Sequence, residues 1–280
     1  MKRIGWLLSL GLVGILGGCS RPGGGSSSPL PQGTTPPRQV EVFVPCGMII
    51  PFNKVKRLFR EQTGLEVDIF FENAVNLLKR IRKGARPDVL VTPGELEMKQ
   101  MEEEGYLAPA SVRTFGTYQL VLIVPGRNEA GITALSDLTK PSVKQIAIAD
   151  PEQNSVGYYA REALKNLGLW EGVQDKLVTH WHALQAAKYV VSSLVDAGLY
   201  YASCPFDSAP EKLGNRPGPY RVIEEVPPEA YPKVKVQAGL LREAPHPAAG
   251  WQFLEFLLSP QAQHTLAQWG LPNYSKEENP

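Results

Sequence analysis

The sequence predicts an α/β protein built on mixed, largely parallel sheets. Strand-like apolar runs alternate with helical patterns through most of the chain, and helices of this kind normally connect parallel strands. Three strand–helix units follow one another between residues 39 and 104. Two further runs, at residues 118–124 and 234–240, are apolar enough to be buried strands that pass between two parts of the fold.

The first three units are defined by residues that start and stop helices. Their strands are predicted at residues 40–44, 67–71 and 88–91. Pro51 favours the first turn of the helix after the first strand, and Gly64 ends that helix. Asn73 can cap the second helix, which ends at Gly84. The third helix is expected at about residues 95–104.

The second half of the chain continues the pattern. Ser155 is expected to cap a long helix, and a shorter helix at about residues 184–194 precedes a strand at residues 197–201. The last helix has Ser259 as its N-cap and Pro260 in its first turn. These signals extend the α/β prediction to nearly the whole chain.

The N-terminal residues have the order of an export signal. Two basic residues precede an apolar stretch at residues 4–18, which is shorter than the roughly 20 residues of a membrane-spanning helix. The Leu-Gly-Gly before Cys19 resembles the lipobox of bacterial lipoproteins. This resemblance implies that residues 1–18 are a cleaved signal peptide and that Cys19 carries lipid. Residues 19–38, rich in Ser, Gly, Pro and Thr, are expected to form a flexible tether.

Charge and cysteine content exclude two classes of protein. The sequence has 29 Lys and Arg residues against 28 Asp and Glu residues. This balance implies no nucleic-acid partner and no charge-driven binding to an anionic membrane. Three cysteines are too few for a disulfide-framework fold. With Cys19 committed to lipid, Cys46 and Cys204 remain.

The most specific signal is a long stretch of sequence at residues 146–169, which reads IAIADPEQNSVGYYAREALKNLGL. It resembles the periplasmic molybdate-binding proteins, the solute receptors of molybdate ABC importers. Shorter supporting matches occur in the family's order at residues 84–88, 120–125, 196–201 and 253–263, so that the resemblance covers nearly all of residues 39–272.

The resemblance implies a type II periplasmic-binding-protein fold. Such a protein has two α/β lobes joined by two crossover strands and closes on a ligand between them. Lobe 1 is expected to comprise residues 39–119 and 236–275, and lobe 2 residues 120–235.

The same resemblance implies a set of ligand residues. A small oxyanion is held by N–H groups at helix N-termini and by a few hydroxyls. The family's two ligand serines correspond to Gly47 and Ala74, which have no hydroxyl. Its backbone positions correspond to Val156 and Ala183, and its ligand tyrosine is retained as Tyr201. The helix-start residues Asn73 and Ser155 complete the expected set.

The cysteines leave alternatives open. Cys46 lies beside Gly47, Cys204 follows Tyr201 by three positions, and Met48 adds a thioether. Soft sulfur ligands favour copper(I) or zinc, so these three residues are a candidate metal site. The two cysteines could equally be unrelated core residues or a disulfide. A further hypothesis makes Cys46 the nucleophile of an enzyme that uses His180 or His182 as its base.

The function expected from these observations is that of a binding protein and not of an enzyme. It is a lipid-anchored, extracytoplasmic, monomeric receptor that captures molybdate, tungstate or a related oxyanion. It delivers this ligand to an ABC permease in the inner membrane and needs no cofactor.

Overall fold

The computed structural model describes residues 39–202 and 219–271. The predicted signal peptide, the tether, Cys19 and Cys204 lie outside the described residues. Ten strands run in chain order: β1 (Gln39–Pro45), β2 (Glu66–Glu72), β3 (Val89–Thr92), β4 (Arg113–Gly116), β5 (Leu120–Pro125), β6 (Ile146–Ala149), β7 (Leu177–His180), β8 (Ala197–Tyr201), β9 (Tyr220–Glu225) and β10 (Val236–Leu240).

Eight α-helices accompany these strands within the described part of the chain. They are α1 (Ile49–Thr63), α2 (Ala74–Arg82), α3 (Glu95–Glu103), α4 (Ser155–Asn166), α5 (Trp170–Val173), α6 (Ala183–Val191), α7 (Pro247–Leu257) and α8 (Pro260–Ala267). A short 3₁₀ turn at Cys46–Met48 leads directly into α1. None of the described helices is both long and apolar enough to cross a membrane.

The strands form two five-stranded sheets with the same pattern of directions. In the first sheet, of order β2-β1-β3-β10-β4, β1 runs parallel to β2 and β3, and β10 runs antiparallel to β3 and β4. In the second, of order β7-β6-β8-β5-β9, β6 runs parallel to β7 and β8, and β5 runs antiparallel to β8 and β9. The predicted α/β class with mixed sheets is therefore confirmed.

Each sheet is the base of a lobe. Lobe 1 contains the first sheet, and lobe 2 contains the second sheet. The chain passes from lobe 1 to lobe 2 between β4 and β5, and it returns between β9 and β10. The entering strands β5 and β10 become interior strands of their sheets, so each passage is anchored by hydrogen bonds on both sides of a buried strand.

Helix ends follow the predicted chemistry in three places. Gly64 ends α1 with a φ of 71°, a left-handed conformation that glycine adopts without a steric penalty. The Asn73 side chain caps α2 by accepting a 2.9 Å hydrogen bond from the Val75 N–H. Ser259 caps α8 by accepting from the Ala262 N–H, with Pro260 in the first turn.

The start of α4 differs from the prediction. Asn154 occupies the N-cap position, and Ser155 is the first helical residue. The reason is long-range, because the Ser155 hydroxyl is bound to the Glu97 side chain of α3 and is not available to cap its own helix.

A buried carboxylate organises the edge of lobe 1. Asp88 has no exposed surface and accepts hydrogen bonds from the Glu41 N–H at 2.8 Å and the His246 N–H at 2.5 Å. These bonds join β1 to the residue that precedes α7, across 158 positions of sequence. Asp88 thus ties together the two segments of the chain that build lobe 1.

Candidate functional site

A small cavity lies where the two lobes face each other. Its volume is about 50 Å³, several times the roughly 10 to 15 Å³ that one water needs. Its described lining is Pro45, Cys46, Gly47, Met48, Asn73, Ala74, Pro93, Tyr118, Asn154, Val156, Ala183, Leu184, Tyr200 and Tyr201. None of these described lining residues is an Asp, Glu, Lys, Arg or His.

Four helices begin at this cavity. The lining includes the residues that start α1 and α2 in lobe 1 and those that start α4 and α6 in lobe 2. Each of these helices follows a strand of the parallel half of its sheet, and the carboxyl ends of parallel strands lie at one edge, where ligands bind in open α/β sheets. N–H groups of a first helical turn have no intrahelical acceptor and carry the positive end of the helix dipole. The cavity is therefore suited to an anion.

Close packing fixes the position of the α4 N-terminus. A side chain at Gly157 would place its Cβ closer than 3.0 Å to the Ala149 carbonyl at the end of β6. Only glycine lets the first turn of α4 approach the strand this closely. The Asn154 side chain adds a 2.6 Å hydrogen bond to the Trp181 carbonyl, which connects the starts of α4 and α6.

Tyr201 contributes a hydroxyl with an unmet hydrogen bond. The side chain lines the cavity, is 5% exposed and stacks on Tyr118 with ring centroids 4.4 Å apart. Its buried Oη makes no hydrogen bond within the described structure. Burial raises the pKa of Tyr201, so the hydroxyl stays protonated and can act as a donor. An unsatisfied buried donor at a cavity is a feature that a ligand oxygen would complete.

The residues predicted from the sequence occupy different positions relative to the cavity. Gly47, Asn73, Ala74, Val156, Ala183 and Tyr201 all line it, as do Cys46 and Met48. Ser155 is outside the lining, because its N–H and its hydroxyl are both bound to Glu97. Sequence reasoning did not include the lining residues Pro45, Pro93, Tyr118, Asn154, Leu184 and Tyr200. Pro93 and Asn154 follow strands β3 and β6, a position that could have marked them.

The sulfur atoms at the cavity have the properties of packed side chains. Cys46 is a free, half-buried thiol, and burial, followed by the nearby charge of Glu72, raises its pKa. A thiol held in its protonated form is a weak donor and a poor nucleophile or metal ligand. Met48 is 1% exposed and belongs to the core cluster that includes Phe52. Among the described residues no group of three or more His, Cys, Asp and Glu side chains is arranged to hold a metal ion.

The two histidines beside α6 interact with each other. The His182 N–H donates a 3.0 Å hydrogen bond to Nδ1 of His180. Burial and the neighbouring His180 lower the pKa of His182, which favours its neutral form. No hydrogen bond between Cys46 and either histidine occurs in the described structure, so the nucleophile–base contact that the enzyme hypothesis requires is not formed.

The fold and the interlobe cavity define a solute-binding protein of the type II periplasmic class. A solved periplasmic molybdate-binding protein from Azotobacter vinelandii has the same fold, with a TM-score of 0.69, 21% identity, and coverage of 84% of this chain and 100% of that one. The family model of bacterial extracellular solute-binding proteins matches residues 40–271. The chain therefore belongs to this family.

Two relatives are similar over most of the chain. The molybdate-binding protein ModA of Rhodobacter capsulatus is 27% identical over 232 residues, which cover 83% of this chain and 87% of that protein. YvgL of Bacillus subtilis, named as a candidate substrate-binding lipoprotein of an ABC transporter, is 27% identical over 194 residues, covering 69% and 70%. The chain is thus a solute-binding protein of an ABC transporter in a molybdate-type family, which acts outside the cytoplasm and is not an enzyme.

Proposed function

We propose that this protein captures molybdate, tungstate or a closely related oxyanion in the interlobe cavity and delivers it to an ABC permease. The observation that carries the proposal is the buried, unpaired Tyr201 hydroxyl in a cavity where four helices begin. Helix N-termini and a neutral hydroxyl supply donors at fixed positions, which is the chemistry that a small oxyanion needs. The ModA proteins named for molybdate binding share this fold and sequence family.

The loss of two ligand serines is compatible with this proposal. Gly47 and Ala74 keep their backbone N–H groups at the starts of α1 and α2, although they supply no hydroxyl. Asn73 is beside them and uses only its Oδ1 to cap α2, so its Nδ2 is a donor that a ligand could engage. Two missing neutral hydrogen bonds would cost roughly 1 to 3 kcal/mol of binding if nothing replaced them.

The soft-metal alternative is less well supported. Burial holds the Cys46 thiol in its protonated form, and the Met48 side chain is packed in the core. The described residues offer no metal-holding group, and Cys204 lies outside them. An oxyanion accounts for the donors at the cavity without requiring a thiolate.

The direct test replaces Tyr201 with phenylalanine. The ring and its stacking on Tyr118 are kept, and only the hydroxyl is lost. We expect molybdate affinity to fall by about 0.5 to 1.5 kcal/mol, or up to about 3 kcal/mol because the acceptor is charged. Calorimetric titration of the soluble domain with molybdate, tungstate, sulfate and phosphate measures this.

Tyr106→Phe is the matched control for this test. It is the same chemical change in lobe 1, at a residue outside the cavity lining. We expect its molybdate affinity to equal that of the unchanged protein. Equal affinities for the Tyr201 and Tyr106 variants would place the ligand elsewhere.

We also propose that the receptor is anchored outside the cytoplasm through lipid on Cys19. The lipobox-like residues before Cys19 and the lipoprotein name of the relative YvgL support this. Cys19→Ser removes the sulfur that accepts the lipid and leaves the globular part unchanged. We expect the variant to leave the detergent phase and appear in the aqueous phase after detergent partitioning. Retention of the variant in the detergent phase would argue against lipidation at this residue.

A further inference from the structure

A buried carboxylate from lobe 1 is bound to the N-terminus of a lobe 2 helix. Glu97 of α3 has no exposed surface. Its Oε1 accepts a 2.9 Å hydrogen bond from the Ser155 N–H, and its Oε2 accepts a hydrogen bond from the Ser155 hydroxyl. The same serine oxygen accepts a 3.2 Å hydrogen bond from the Leu96 N–H. Three hydrogen bonds therefore cross between the lobes at a single residue of α4.

The surrounding contacts allow the two helices to approach this closely. A side chain at Gly94 would place its Cβ closer than 3.0 Å to the Ser155 side chain. The Tyr159 hydroxyl lies 3.4 Å from Oε2 of Glu95, which also pairs with Lys235 at 3.0 Å. The α3–α4 contact is thus formed only when the lobes are together.

This contact is next to the ligand cavity along the chain. Ser155 is the first residue of α4, and the next residue, Val156, lines the cavity. The Glu97 carboxylate takes up the N–H of Ser155, one of the donors at this helix start, and leaves the following ones. Any movement of α4 relative to α3 would therefore displace Val156 from the site.

We propose that Glu97 is an interlobe latch, which holds the first turn of α4 in its place at the cavity and holds it more strongly when the carboxyl gains a proton. The closing and opening of the lobes is the event that the latch regulates. The use of molybdate as a probe rests on the proposed function, whereas lobe closure can be measured without any ligand.

The direction of the pH effect follows from burial. With the lobes together, burial raises the pKa of Glu97 above its ordinary value, and the hydrogen bonds from Ser155 offset this only in part. With the lobes apart, water would reach the carboxyl and its pKa would return towards the ordinary value. The closed form therefore takes up the proton. Its advantage is full below the open-state pKa and is lost as the pH rises through the raised, closed-state pKa.

The groups around Glu97 do not produce the same pH dependence. Tyr159 of α4 and Tyr201 of β8 face it, and burial raises the pKa of both, so they remain neutral. On its own helix, Glu95 is paired with Lys235. The basic side chains of the neighbouring helix α2 point to other partners: Lys79 to Trp181, Arg80 to Phe70 and Arg82 to Glu104.

The test compares Glu97→Gln, Glu97→Ala and the unchanged protein between about pH 6 and pH 9. Glutamine has the shape of the protonated carboxyl, keeps an oxygen for the Ser155 N–H and cannot ionise. We expect the molybdate affinity of the unchanged protein to fall as the pH rises, and that of Glu97→Gln to be nearly independent of pH. At the upper end of the range, Glu97→Gln should bind roughly tenfold more tightly than the unchanged protein, which corresponds to about 1.4 kcal/mol.

Two further measurements keep the latch testable by itself. Small-angle X-ray scattering without ligand should show a larger radius of gyration for Glu97→Ala than for Glu97→Gln. Calorimetry in buffers of different ionisation enthalpy should show proton uptake on binding by the unchanged protein and none by Glu97→Gln. Equal scattering curves for the two variants, or the same pH slope in Glu97→Gln as in the unchanged protein, would overturn the latch. A protein that closes as expected but binds no molybdate would instead contradict the proposed function.

Discussion

Gly94→Ala is expected to cause the largest loss of ligand binding of any single substitution outside the cavity. The added Cβ would overlap the Ser155 Cβ and Oγ, both closer than 3.0 Å, and would lie 3.2 Å from the Tyr159 ring. Because Ser155 begins α4, its backbone must move to relieve this overlap. The lobes can then no longer come together with Val156 in position. Losing one or two hydrogen bonds to a charged ligand costs about 1.5 to 3 kcal/mol each, a roughly tenfold to more than hundredfold rise in Kd.

A second substitution identifies the cause of this loss. Ser155→Gly removes the atoms that the new Cβ would meet, so the double variant Gly94→Ala with Ser155→Gly should recover part of the closure. The double variant should therefore lose less affinity than the two single variants added together. Calorimetric titration with molybdate and scattering without ligand measure the two effects, and circular dichroism checks that the lobes are folded. Additive losses, or a compact Gly94→Ala variant, would contradict the steric explanation.

The parts of the fold that follow local rules could be predicted from the sequence. Asn73 caps α2 through its own neighbour Val75, and Gly64 ends α1 through a local conformation. Strands β1, β3 and β5 are buried over most of their length and appear as apolar runs. The two-lobed architecture came from the resemblance to a family, because hydrophobic periodicity alone does not say which strands share a sheet.

The parts that were not predicted depend on distant contacts or on weak patterns. The Ser155 hydroxyl appears to the eye of sequence reasoning as a helix cap, but its partner Glu97 is 58 positions away. The edge strands β7 and β9 are only partly buried, and their short, mostly polar sequences carry little periodic signal. Tyr118 joins the cavity because it stacks on Tyr201, which lies on a different strand. Only the folded chain brings these residues together.

The second large expected effect concerns stability, at the buried carboxylate of lobe 1. Asp88 follows the Gly-Ala-Arg-Pro stretch that ends the second strand–helix unit, and its side chain has no exposed surface. Its two oxygens satisfy the backbone N–H groups of Glu41 and His246, which belong to segments far apart in the sequence. The carboxylate thus replaces a strand pairing that neither segment makes at this point. Nearby, the Leu241 N–H donates to the Asp88 carbonyl at 2.9 Å, which fixes the end of β10 to the same residue.

Asp88→Ala should therefore lower the free energy of unfolding by about 3 to 5 kcal/mol, because two buried N–H groups would lose their acceptors at about 1 to 3 kcal/mol each. Asp88→Asn should be intermediate, since one amide oxygen can still accept while its NH₂ faces a donor. The exposed Asp175→Ala is the matched control and should change stability by less than about 0.5 kcal/mol. Chemical denaturation by urea measures all three as shifts in the midpoint at a similar slope. An Asp88→Ala variant as stable as Asp175→Ala would show that water replaces the carboxylate at no cost, and that the two segments of lobe 1 are held together by their apolar contacts alone.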